Sequence, residues 1–121
     1  MVQWINIGMA ALTIAVGFIG FLNPRYVMET LNLATDGSTF GLSEIRAASG
    51  AVFVGMGGVA ILLGAPWAYF MIGVLYASAG MGRLLSILLD GSGPAGAYGF
   101  LAFEVVFAGW FFAANGSAVR G

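Results

Sequence analysis

Four long apolar runs, at about residues 2–22, 43–63, 66–89 and 95–114, are separated by short clusters of polar, glycine and proline residues. Crossing ~30 Å of hydrocarbon takes about 20 residues of helix, so each run is expected to be a transmembrane span. The first run stops at Asn23 and Pro24. A capping asparagine before a proline at the first helical position predicts a short interfacial helix over about 24–31. On it, Val27 and Leu31 are expected to face the bundle, while Arg25 and Glu29, one turn apart, are expected to pair.

Thr35, Asp36, Gly37 and Ser38 read as a turn. Ser43 is then a candidate N-cap for the second span, with Glu44 favourably placed at the positive helix end. Gly64, Ala65 and Pro66 close that span, and so short a connection predicts an antiparallel hairpin with the third. Asp90, Gly91, Ser92, Gly93 and Pro94 read as the turn before the fourth. The expected architecture is all-α, a single four-helix transmembrane domain over residues 1–121, with both termini on one side of the membrane. Trp4, Trp67 and Trp110 would then mark the interface on the terminal side, where indole rings concentrate.

Composition changes the picture only by removing alternatives. The chain is 60% hydrophobic and 7% charged, against about 25% charged in an ordinary soluble domain. Too few polar side chains remain to cover a water-facing surface. No lysine is present and the formal net charge is -1, so no basic stripe exists to neutralise nucleic-acid phosphates. Cysteine and histidine are absent. That removes disulfides, thiolate nucleophiles, imidazole bases and the usual zinc or haem ligands, and neither a metal nor a cofactor is expected. The segment from Met1 to Leu22 lacks a basic n-region and is long for a signal peptide, so it is read as a permanent span.

Small residues recur at four-residue spacing in Ala47, Ala51 and Gly55 of the second span and in Ser78, Gly82 and Ser86 of the third. Without a hydrophobic drive between helices in lipid, close packing must hold them, and such stripes are expected inside the bundle or on a dimerisation face.

Candidate chemistry rests on the ionisable residues inside the spans, because a charge at the bilayer centre costs about 2.5–3.5 kcal/mol on insertion scales. These are Arg46, Arg83 and Glu104. At ~1.5 Å per residue, Arg83 and Glu104 lie at similar depth on helices of opposite direction. Every Cα–Cβ bond tilts toward its helix N-terminus, which brings the two side chains still closer in level. An Arg83–Glu104 ion pair is therefore expected, with Arg46 as a second donor. Glu44, two positions from Arg46, points nearly the opposite way and is a poor partner. Glu44, Tyr76 and Asp90 are candidate pocket-lining residues, although an aromatic at helical spacing more often simply packs.

The residues Asn23-Pro24, Ser43-Glu44-Ile45-Arg46-Ala47 with Gly50, Gly82-Arg83 with Ser86, Asp90-Gly91, and Glu104 in the fourth span resemble a family of small bacterial membrane proteins catalogued as a domain of unknown function. The resemblance covers the whole chain. It implies a four-helix membrane fold in the bacterial cytoplasmic membrane, with Arg46, Arg83 and Glu104 at its characteristic polar positions and cytoplasmic termini. It supplies no reaction. This chain departs from the family in carrying a single basic residue, Arg120, in its tail.

Three roles compete. The first is a non-catalytic membrane protein, acting as a structural or accessory subunit of a larger complex or as a homo-oligomer, in contact with membrane lipids. The second is a binder of an anionic lipid or small carboxylate through Arg46 and Arg83. The third is a small proton-coupled transporter, which the charge-free first span disfavours. An intramembrane enzyme ranks below these, since Ser43, Ser49, Ser78 and Ser86 have no histidine or lysine to activate them.

Overall fold

A computed structural model describes residues 1–34, 36–91 and 94–120, with the side chains of residues 94–96 outside that description. The described chain is helical and holds no strand. Helix α1 runs over Val2–Leu22 and α2 over Pro24–Thr30. Helix α3, Phe40–Leu63, is continuous but contains one π-helical turn at Ala47–Ala51. Helix α4 covers Pro66–Asp90 and α5 covers Pro94–Arg120. Four of these are long and apolar enough to cross a bilayer. Large side chains such as Leu62, Leu88 and Val106 are left open to the surroundings, as suits lipid rather than water. The chain is an all-α, multi-pass membrane protein.

Two compact units are distinguished, one spanning residues 3–63 and the other 64–121. In the first, α1 turns a stripe of Asn6, Ala10, Thr13, Gly17 and Gly20 inward. Glycine lets its backbone touch that of α3. A Cβ on Gly20 would lie 2.6 Å from the Ser49 carbonyl oxygen, and one on Gly50 would lie 2.5 Å from the Phe21 nitrogen. Gly57 repeats the contact lower down against Ala10 and Ile14.

Local signals set the connections of this unit. The Asn23 side chain accepts a 3.3 Å hydrogen bond from the Tyr26 amide, with Pro24 at the first position of α2. Helix α2 ends in a Schellman-type cap, in which the Leu33 amide donates to Met28 and Asn32 takes the left-handed conformation, φ 59°. Its inward face is centred on Pro24 and Met28, with Val27 and Leu31 only half-buried. Arg25 and Glu29 form no ion pair among the described residues. Both are exposed, and such surface pairs are worth too little to hold two long side chains in place. In the following turn the Asp36 carboxylate accepts from the Ser38 amide, while Thr35 lies outside the described residues.

Helix α3 begins at Phe40, three residues ahead of Ser43, with Thr39 at the N-cap position and the Ser38 hydroxyl before it accepting from the Phe40 amide. Ser43 is thus a first-turn side chain and not a cap.

In the second unit α4 and α5 pack antiparallel, since positions rising along α4 meet positions falling along α5. Tyr69 stacks on Phe111 at 6.3 Å between ring centroids, and Tyr76 meets Phe107 at 5.1 Å and Phe103 at 5.8 Å. Gly73 makes room for the rings of α5, with a Cβ there 3.0 Å from both Phe111 and Phe112. Helix α4 ends on Gly91 in the left-handed conformation, φ 63°. Ser92 and Gly93, expected in the same turn, lie outside the described residues. Helix α5 runs on to Arg120, so Trp110 sits roughly three turns before its end rather than near it.

Candidate functional site

Ionisable side chains are scarce in these helices, and the most closely paired are one arginine and one glutamate. Arg83 on α4 and Glu104 on α5 meet side by side. Arg83 Nε donates to Glu104 Oε1 at 2.7 Å and Nη2 donates to Oε2 at 3.0 Å. This two-point geometry matches the planar fork of guanidinium to both carboxylate oxygens and is the strong form of such a pair. The carboxylate is the deeper partner, its side chain 9% exposed against 29% for the arginine.

Two neighbours complete the setting. The Arg83 guanidinium carbon lies 5.0 Å from the centre of the Phe100 ring, one helical turn before Glu104, which adds a cation–π contact. Gly80, one turn before Arg83, leaves ordinary contact distance of 3.6 Å between its own missing Cβ and that of Glu104. A Cβ at Gly80 would also lie 3.7 Å from the Leu101 side chain, so a residue longer than alanine there would press on both Leu101 and Glu104. Further along α4 the Ser86 hydroxyl donates to Asp90 at 2.9 Å. Tyr76, one of the expected pocket residues, is 2% exposed and enclosed by the rings of Phe103 and Phe107.

Arg46 belongs to the first unit, where Nη1 donates to the Phe21 carbonyl oxygen. Helix α1 has no basic residue in its own last turn, so its final carbonyls face outward without an intrahelical partner. A guanidinium at that end satisfies one of them and meets the negative pole of the helix dipole. The same arginine borders an open depression of about 560 Å³, with the hydroxyl-bearing Thr39 and Ser43 on its polar side. Phe21, Leu42, Ala47 and Ala51 form the apolar walls. Glu44 is exposed on α3.

The small-residue stripes point away from the contacts that hold each unit. A Cβ built on Gly55 or on Gly82 meets nothing within 4 Å, and Ala47, Ala51 and Ser78 are exposed. The glycines that do carry close approach are Gly17, Gly20, Gly50 and Gly57 in one unit and Gly73 in the other. Three buried polar residues also went unremarked at the level of sequence: Asn6, Thr13 and Asn115. The Thr13 hydroxyl donates to the Met9 carbonyl and the Asn115 amide to that of Phe111, each at 3.0 Å. The signal was legible, since Asn6 and Thr13 stand seven residues apart, on one face of an otherwise apolar helix.

Residues 1–115 match the family described as a domain of unknown function, DUF4345. The chain belongs to that family. The DUF4345 match takes in both units together with Arg46, Arg83 and Glu104. No curated protein and no solved structure matches the chain. The DUF4345 description names no reaction and no ligand, so the side chains themselves must carry the functional reading.

Proposed function

We propose that this protein is a non-catalytic membrane component, a structural or accessory subunit that docks beside a larger complex in the bacterial cytoplasmic membrane, with its termini on the cytoplasmic side. The observation that carries this reading is the two-point Arg83–Glu104 pair. The carboxylate in the fourth span is spent on fixing α5 against α4. An ion pair of this kind specifies how helices meet, which is its best-attested use. The outward stripes of Ala47, Ala51 and Gly55 on α3 and of Ser78 and Gly82 on α4 support a role beside other helices, because small residues let a neighbouring backbone approach closely.

Purification from its native membrane in a mild detergent tests the accessory role. A stoichiometric membrane partner, or a second copy of the chain, is the expected companion, and a chain that always travels alone would remove the reading. The transporter alternative has its own test. Both oxygens of the Glu104 carboxylate are already engaged by Arg83, so reconstituted vesicles should show no proton-coupled uptake that Glu104→Gln abolishes. Such uptake would replace the structural reading.

A further inference from the structure

The depression beside Arg46 has features that neither the ion pair nor a docking seam requires. Thr39, Leu42, Ser43, Arg46 and Ala47 follow helical spacing and share one face of α3, looking onto the end of α1 at Phe21. Arg46 gives a single N–H to the Phe21 carbonyl oxygen. Its other donors, and the hydroxyls of Thr39 and Ser43, have no protein acceptor among the described residues. No carboxylate lines the depression. It is therefore a positively charged notch whose donors lie on one side and whose apolar walls lie on the other.

From these observations we infer that the Arg46 notch is a phospholipid site, which takes the phosphodiester of an anionic lipid headgroup on Arg46, Ser43 and Thr39 and lays the start of an acyl chain along Phe21, Leu42, Ala47 and Ala51. The position suits a lipid. Arg46 lies ~9 Å along α3 from its first residue, within the headgroup and upper acyl layer once that helix crosses the membrane. At that level the abundant anion is lipid phosphate, and a guanidinium fork matches phosphate oxygens as well as it does carboxylate.

The shape suits it too. A volume of about 560 Å³ is within the usual span of small-molecule sites. The π-helical turn at Ala47–Ala51 widens the helix at the apolar side, and π turns recur at binding sites. Two alanines there leave the acyl path clear. The Phe21 contact fixes one edge of the guanidinium, so the remaining donors are already aimed when the lipid arrives. This inference does not depend on whether the protein has a protein partner.

Native mass spectrometry of the detergent-solubilised protein, with phosphatidylglycerol added, tests it. The wild type should retain one phosphatidylglycerol at least tenfold better than phosphatidylcholine. Arg46→Ala should lose that preference. Because Arg46 also caps α1, a second variant is needed, and Ala47→Phe fills the notch from an exposed position without touching the cap. It should lower retention at least fivefold while helical content measured by circular dichroism stays at the wild-type level. Leu62→Ala, an exposed apolar position near the other end of α3 and outside the notch, should leave retention unchanged. Inorganic phosphate at the same concentration should not displace the lipid. Equal retention by wild type and Ala47→Phe would overturn the site, and so would equal retention of the two lipids. Displacement by inorganic phosphate would overturn the lipid assignment in favour of a free anion.

Discussion

The two units solve one problem in opposite ways. Helices in lipid gain little from burying apolar surface against each other, so shape and hydrogen bonding must hold them. In the first unit α1 and α3 are held by missing atoms: Gly17, Gly20, Gly50 and Gly57 bring backbones into contact at distances no side chain would allow. In the second, α4 and α5 are held by atoms present, in the stacked rings of Tyr69 and Phe111, the tilted rings of Tyr76 and Phe107, and the Arg83–Glu104 pair. The contrast teaches that the same apolar composition can encode two kinds of fragility. Adding atoms should break the first unit, and removing atoms should break the second.

The largest effect is expected from Gly50→Leu. With a Cβ already 2.5 Å from the Phe21 backbone, the helices must part, at a cost above ~3 kcal/mol. Loss of the monodisperse folded species in detergent would register it. Next comes Arg83→Ala, which strands the buried Glu104 carboxylate and should cost ~3 kcal/mol in an unfolding titration. Glu104→Gln keeps a hydrogen-bond acceptor for Arg83 and should cost about half as much. Phe111→Ala, at a fully buried ring, should cost ~2–3 kcal/mol, below the usual value for a soluble core because lipid rather than water is the alternative surrounding. Gly55→Ala closes the series. Open space lies beside it, so stability measured the same way should stay level or rise by about 1 kcal/mol through helix propensity. If Gly55→Ala proved as damaging as Gly50→Leu, the division between packed and outward glycines would fail.

What the sequence could and could not show follows the same division. The span count and the start of α2 are legible because apolar run length and an Asn-Pro capping signal are local properties. The relation of Arg83 to Glu104 follows from arithmetic on depth, which survives an error of one residue in either helix boundary, each worth only ~1.5 Å. Which glycines touch is not legible in this way. Ala47, Ala51 and Gly55 share the spacing of a packing stripe, yet the contact is made by Gly50 and Gly57, because spacing cannot say which face of α3 turns toward α1. The π-helical turn is a further reason, since one added residue in that turn rotates the face of α3 beyond it. The start of α3 has a simpler cause: Ser43 has the residue type of a cap, but Thr39 holds the N-cap position and the Ser38 hydroxyl accepts from the Phe40 amide, so the helix begins three residues earlier. The bond from Arg46 to Phe21 is a contact across 25 residues with no local signature beyond the absence of a basic residue from the last turn of α1.

A double-mutant cycle on Arg83→Met and Glu104→Leu reaches the centre of this account most directly, read as the unfolding free energy of the solubilised protein. If the two charges exist to hold α4 on α5, each single change should lose at least ~2 kcal/mol and the double apolar variant should recover most of it, giving a coupling of similar size. Losses that simply add, with the double variant as damaged as both singles together, would contradict it.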